Sequence, residues 1–311
     1  MMDDFANDTL YQTYKGKGPQ FQLISVVSVI YAIGLTGTVF NSSLIYITIK
    51  SRNLRRTYHY LLALVVLCDV IYQMGHTVVL VILTTGINFV PLLPCFYIIT
   101  IPLIGLNGSM IFILLLAMDR LLSVVFPIWH TRLNVLSYLI INIVIGLSYS
   151  IYIAHLAHVI ILKTPNKPVN CRLSDCSPGY AGQVQFICCL IFNGLTVLCY
   201  VCIWIVLQWR PATSSAKSMK RIFKSLAILV AMVVFGWTFN AIWKLILPVF
   251  NFNTLQLWYF TQCGGIFVNL ASALNVPVLY LFSREYRSII SNELLQLTKL
   301  IHLSRTEPNY S

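Results

Sequence analysis

The chain has 311 residues, of which 58% are hydrophobic and only 10% charged, with a formal net charge of +12 at pH 7. Ordinary soluble domains are about 25% charged, so this chain lacks the polar surface that water requires and is expected to face lipid. Its Lys and Arg residues fall in short gaps between apolar runs rather than along one stripe, which argues against a nucleic acid partner.

A membrane-spanning helix needs about 20 predominantly apolar residues. Seven runs reach that length: 23–49, 60–86, 95–118, 135–162, 184–209, 222–247 and 257–282. They are far too long for barrel strands, and only Asp69, Lys224 and Lys244 carry charge inside them. The expected fold class is an all-α membrane protein, a seven-transmembrane helix bundle with a short cytoplasmic amphipathic helix. Residues 1–22 read as an extracellular segment, 23–282 as the bundle, and 283–311 as a cytoplasmic amphipathic helix and tail. Residues 1–20 hold Asp3, Asp4 and Asp8 and no apolar core, so no cleavable leader is expected.

Direction follows from the basic residues. Fifteen of the 21 Lys and Arg gather in the gaps on one side, among them Lys50, Arg52, Arg120, Arg132, Lys220 and Arg287. That side is expected to be cytoplasmic, which places the N-terminus outside and the protein in the plasma membrane as a multi-pass chain. Asn7-Asp8-Thr9 is then a glycosylation sequon on the outer side. Beyond the last run, Tyr286, Ile289, Ile290, Leu294, Leu297, Leu300 and Ile301 recur at helical spacing, the pattern of a helix lying on the inner leaflet.

Several residues stand out along these spans. Cys95 precedes Asp119 by 24 residues, about 36 Å along a helix, so Cys95 and the Asp119-Arg120 pair belong to opposite membrane faces. Cys171 and Cys176 lie in the long loop on the Cys95 side, where a disulfide from Cys95 to one of them is expected; the sequence leaves both partners open. Asp69 sits in mid-span, where a charged group costs at least about 2.5 kcal/mol, so it should face the bundle interior. Pro277, close to Tyr280, interrupts the seventh run, with Ser272 and Asn275 as nearby polar partners. Trp237 stands beside Gly236 in the sixth run, and Tyr200 lies in the fifth.

Taken together, these marks resemble a rhodopsin-like G-protein-coupled receptor. Asn41 matches the Asn of span 1, Asp69 the acid of span 2, and Asp119-Arg120-Leu121 the DRY-like motif, with Pro127 in the second inner loop. Tyr200, Trp237 and Pro277-Val278-Leu279-Tyr280 match the marks of spans 5, 6 and 7. The departures are Leu121 in DRY, Phe192 and Phe239 where prolines are usual, and an Asn displaced by one in Asn275-Val276-Pro277. With Asn-Ser-Ser-Leu-Ile-Tyr-Ile-Thr-Ile-Lys from Asn41 and Tyr-Leu-Phe-Ser-Arg-Glu-Tyr-Arg from Tyr280, the chain is similar to the nematode serpentine receptor class SX chemoreceptors.

The resemblance implies a receptor for an extracellular small molecule or peptide that activates a heterotrimeric G protein, in contact with membrane lipids and without cofactor, metal or catalytic residue. It implies an activation switch of Asp119, Arg120, Tyr200, Trp237, Pro277 and Tyr280, and an intramembrane polar site of Asn41, Asp69, Ser109 and Asn275. The ligand cavity would lie in the outer half, near Tyr72, His76, Pro102, Asn107, Gln185, Asn240, Lys244, Gln262 and Asn269. Pro102 stands where amine receptors place their acid, which argues against a monoamine. A neuropeptide receptor of the same fold and, in a different class, a transporter or channel are the alternatives. Transporters favour internal repeats, and this chain shows none.

Overall fold

The computed structural model describes residues 8–54, 56–209, 214–293 and 295. Asn7 and the tail positions Leu294, Leu297, Leu300 and Ile301 lie outside the described residues. The helices are α1 (Thr9–Tyr14), α2 (Phe21–Lys50), α3 (Thr57–Thr84), α4 (Leu92–Val125), α5 (Pro127–Arg132), α6 (Val135–Ile161), α7 (Gly179–Trp209), α8 (Ser214–Ile246), α9 (Thr254–Ala273) and α10 (Asn275–Phe282). Six of them, α2, α3, α4, α6, α7 and α8, are each long and apolar enough to cross a membrane. The seventh span is the pair α9 and α10, bent by 43° at their junction. The chain is thus an all-α, seven-transmembrane bundle.

The helices overrun the apolar stretches that mark them. α4 continues to Val125 and α7 begins at Gly179, because helical hydrogen bonding persists where the chain leaves lipid. Local chemistry fixes the ends: the Asn134 side chain caps α6, and Asn253 with Gln256 forms a capping box on α9.

The central helix α4 is packed by α3, α6 and α7, and every residue from Asn107 to Ala117 is buried. Gly105 permits the closest approach. A side-chain carbon there would meet the Cys68 carbonyl oxygen at 2.8 Å and the Tyr72 nitrogen at 2.9 Å, so α3 and α4 meet backbone to backbone. On the outside, Ile140, Ile141 and Val144 of α6 and Ile191, Leu195 and Leu198 of α7 are exposed, an apolar belt for lipid.

One end of the bundle is closed by the loops. A two-stranded antiparallel ribbon pairs β1 (Val90–Pro91) with β2 (Pro168–Val169). Asn88, in the left-handed conformation and fully buried, donates from Nδ2 to the carbonyls of Tyr14 and Gly18, while its own carbonyl accepts from Asn170. One side chain and its backbone thus tie the α1 segment to the ribbon loop. α1 packs Leu10 and Tyr14 against Leu23, Val27, Leu83 and Trp258, and Asp8 both caps it and accepts from Thr254 of α9.

A disulfide joins Cys95 to Cys171, so the loop is fixed to the start of α4. Just beyond it, Leu173 dips into the bundle over Gly75, where a side-chain carbon would lie 2.7 Å from Leu173 Cδ1.

At the opposite end, residues 284–293 form a helix. Its apolar face docks on the bundle rather than lying wholly on lipid. Tyr286 is 2% exposed, with its hydroxyl 2.7 Å from His59 Nδ1. Burial raises the Tyr286 phenol well above the ordinary tyrosine value, so it stays protonated. Glu285 reaches Tyr58 at 3.3 Å, and Lys50 pairs with Glu293 at 2.6 Å.

The loop at the Cys95 end holds a second thiol. Cys176 Sγ lies 3.6 Å from Cys95 Sγ, and burial pushes the Cys176 thiol up, which keeps it protonated and inert. Closing a loop of this length is worth about 4 kcal/mol in chain-entropy reckoning. Cys171→Ser is therefore expected to keep at least half of wild-type surface expression, with Cys176 taking over as partner. Cys171→Ser combined with Cys176→Ser should lower expression several-fold, and maleimide labelling of the purified chain will count the free thiols in each.

Candidate functional site

Polar residues inside the bundle form three groups along its axis. The middle group surrounds Asp69, which is 1% exposed. Its Oδ1 accepts from Ser109 Oγ at 2.6 Å and its Oδ2 from Asn275 Nδ2 at 3.0 Å. Asn275 Nδ2 also reaches Asn41 Oδ1 at 3.4 Å, and Asn41 Nδ2 donates to the Ser272 carbonyl at 3.3 Å. Asn41, Asp69, Ser109 and Asn275, from four helices, are thus brought together.

The bend explains how the displaced Asn275 reaches Asp69. α9 ends at Ala273, and Pro277 supplies no N–H to continue the ladder, so carbonyls at the end of α9 are left for other donors. Asn41 takes that of Ser272. Sequence reasoning missed Gln73, which donates to Ser272 Oγ at 3.2 Å and accepts from Thr38 at 3.0 Å.

Towards the Cys95 end lies a cavity floored by Trp237 and walled by Tyr72 and His76 of α3, Gln185 of α7, Asn240 and Lys244 of α8, and Gln262 and Asn269 of α9. Asn269 Nδ2 donates to the Tyr72 hydroxyl at 3.0 Å. Two expected wall residues are elsewhere. Asn107 is fully buried and folds back to the Leu103 carbonyl of its own helix. Pro102 is buried against Gly75 in the α3–α4 contact. Both sit on faces of α4 that helix packing consumes. The cavity roof comes instead from the disulfide loop, through Arg172, Leu173 and Ser174.

The third group is at the far end of α4. The Asp119 side chain is fully buried, pairs with the Arg120 guanidinium, and lies 2.9 Å from His130 Nε2. Arg120 also rests on the Tyr58 ring, 4.1 Å from its centroid. His130 comes from α5, a single turn started by Pro127 at its first position, which swings the ring back to α4. Tyr200 is stacked on Phe223 at 5.6 Å and, with Arg120, lines a small cleft. Its hydroxyl is buried with no hydrogen-bond partner among the described residues. Tyr280 does not join this group. It is 38% exposed on the bundle surface, held near Arg287, whose Nε donates to the Tyr280 carbonyl at 2.9 Å.

The two ends differ in what a ligand would find. The Cys95 end offers a cavity beside unsatisfied polar atoms: His76 Nε2, Gln185 Nε2, Asn240 Oδ1, Asn269 Oδ1 and Arg172 Nη1 have no hydrogen-bond partner among the described residues. The Arg120 end offers a cleft of about 30 Å³ between α4, α7 and α8, closed by side-chain packing.

Asp69→Leu strands the Ser109 hydroxyl and the Asn275 amide, at about 1–3 kcal/mol for each buried group left unpaired. The variant is expected to melt several degrees below wild type in detergent. Asp69→Asn, which keeps an acceptor, should lose less than half as much.

A search of the curated proteins finds no match. The family model described as serpentine type 7TM GPCR chemoreceptor Srsx matches residues 32–294, from the middle of α2 through the tail helix, and so spans all three polar groups. The chain belongs to this family of serpentine seven-transmembrane G-protein-coupled chemoreceptors.

Proposed function

We propose that this chain is a chemosensory receptor of the plasma membrane, with its N-terminus and Cys95 end outside the cell, that binds an extracellular small molecule and activates a heterotrimeric G protein at the Arg120 end. The observation that carries the reading is the pairing, in one bundle, of a cavity lined by polar side chains at one end with a latched Asp119-Arg120 cluster at the other. The orientation rests on the Lys and Arg excess at the Arg120 end. The disulfide at the other end agrees with an oxidising exterior.

Arg172, Leu173 and Ser174 of the disulfide loop roof the cavity, and its free space of about 70 Å³ favours a small molecule over a peptide. In the latched form, Arg120 is engaged by Asp119 and Tyr58 on its own side of the bundle. Ligand binding would favour a second arrangement only to the extent that the ligand binds it more tightly. In that arrangement Arg120 leaves Asp119 and meets Tyr200, whose hydroxyl stands ready without a partner among the described residues. The G protein would dock against the cleft this opens. The seventh span would contribute through its bend and Pro277, and Tyr280 would have to turn inward from its exposed position.

The test is second-messenger output in cells expressing wild type or Arg120→Ala, screened against pools of small molecules. Wild type is expected to respond to at least one pool, and Arg120→Ala at equal surface expression to lose at least tenfold of the response. A response that survives undiminished in Arg120→Ala overturns the assigned coupling end.

A further inference from the structure

The cavity under the disulfide loop has a charge pattern of its own. Two cations line it, Lys244 from α8 and Arg172 from the loop, and no Asp or Glu is among its lining residues. Arg172 is bound by Asp175, through Nη2 to Oδ1 at 2.7 Å and Nε to Oδ2 at 3.3 Å, so that pair is neutral as a unit. Lys244 has no carboxylate partner among the described residues. Its described contact is the face of Phe186, with the ammonium 5.2 Å from the ring centroid. The cavity therefore carries one uncompensated positive charge.

Lys244 is half-buried, and an aromatic face attracts an ammonium only weakly, so one ring leaves most of the charge for a ligand to meet. The cavity also holds a ready donor that is unused. Arg172 and Gln185 both line this space, and Arg172 Nη1, on a guanidinium 5.5 Å from the Trp258 ring centroid, and Gln185 Nε2 are buried with no hydrogen-bond partner among the described residues. An ammonium, an idle guanidinium N–H and an idle amide N–H are the donor set that a carboxylate accepts from.

We infer that the ligand is a small organic monoanion, a monocarboxylic acid bound as its carboxylate between Lys244, Arg172 and Gln185. One surplus charge matches one carboxylate and not a phosphate dianion. The apolar and aromatic part of the wall, formed by Val79, Leu106, Phe186 and Trp237, suits a hydrocarbon body. The free space is about 70 Å³, enough for a handful of waters and hence for a compact molecule. The inference rests on the proposed ligand cavity, and it deepens that reading by naming the ligand class.

The experiment uses the purified full chain in detergent and a panel of straight-chain and aromatic monocarboxylic acids of three to nine carbons, each beside its primary amide at the same pH. The readout is the concentration-dependent rise in melting temperature, which requires no G protein. At least one acid is expected to stabilise wild type, with its amide at least tenfold weaker. Lys244→Gln should weaken that acid at least tenfold, and Lys244→Arg should restore part of the loss, which a merely misfolded variant would not. Arg172→Gln should weaken it by a smaller factor. The proposal is overturned if no acid in the panel binds, if amides bind as well as acids, or if Lys244→Gln binds the acid unchanged. Neutral compounds that stabilise the chain and drive Arg120-dependent signalling would leave the receptor reading standing while sinking this one.

Discussion

A carboxyl group in the middle of a lipid-embedded bundle must be surrounded by donors, and the arrangement of this molecule follows from how Asp69 meets that demand. Water is absent from the hydrocarbon region, so every polar atom there answers to another part of the chain. Ser109 from α4 and Asn275 from α10 meet Asp69 directly, and Asn41 from α2 reaches it through Asn275. Moving any of these helices by an ångström strands a buried donor. The seventh span bends for the same reason: only with α9 ended at Ala273 do the Ser272 carbonyl and the Asn275 amide both find partners across the bundle.

Away from that centre the two ends are built on different principles. The Cys95 end is held by a covalent bond, a strand pair and the three hydrogen bonds made around Asn88. These are covalent, strand-pair and side-chain-to-backbone links, and they resist small displacements. The Arg120 end is held mainly by side-chain pairs: Asp119 with Arg120 and His130, Tyr58 under Arg120, Tyr286 against His59, and Lys50 with Glu293. Pairwise contacts of this kind can be exchanged one at a time. Conformational change is therefore cheaper at the Arg120 end, which is the end where the proposed coupling requires it.

The seven spans, Cys95 and the central position of Asp69 were legible in the sequence, because each depends on length, composition or spacing along one segment. The bend was legible only as Pro277; its position at Leu274 depends on how Asn275 is drawn to Asp69. The partners that escaped sequence reasoning are tertiary. His130 reaches Asp119 through the turn of α5, Tyr286 reaches His59 across more than two hundred residues, and Arg172 enters the cavity only because the disulfide and Gly75 let its loop descend. Periodicity carries no trace of such meetings. Asn107 and Pro102 show the converse error. Depth along α4 follows from sequence position, but which way each residue faces around the helix was decided by the contact of α3 and α4 at Gly75 and Gly105, which the sequence of α4 alone does not encode.

The geometry of the seventh span links the cavity to the polar centre. Asn269 lies on the cavity wall and bonds Tyr72, while Asn275, six residues on and past the bend, bonds Asp69. Tyr72 and Asp69 are in turn neighbours on one face of α3, three residues apart. The wall and the centre thus share α3 and the seventh span, each of which contributes to both. A ligand that pulls on Asn269 or on α8 across the cavity acts on the same α9 segment whose end carries the Ser272 carbonyl. Coupling of this form needs no separate pathway. It requires only that the bend at Leu274 have two arrangements that the ligand distinguishes, and the bend is where backbone hydrogen bonding is already interrupted.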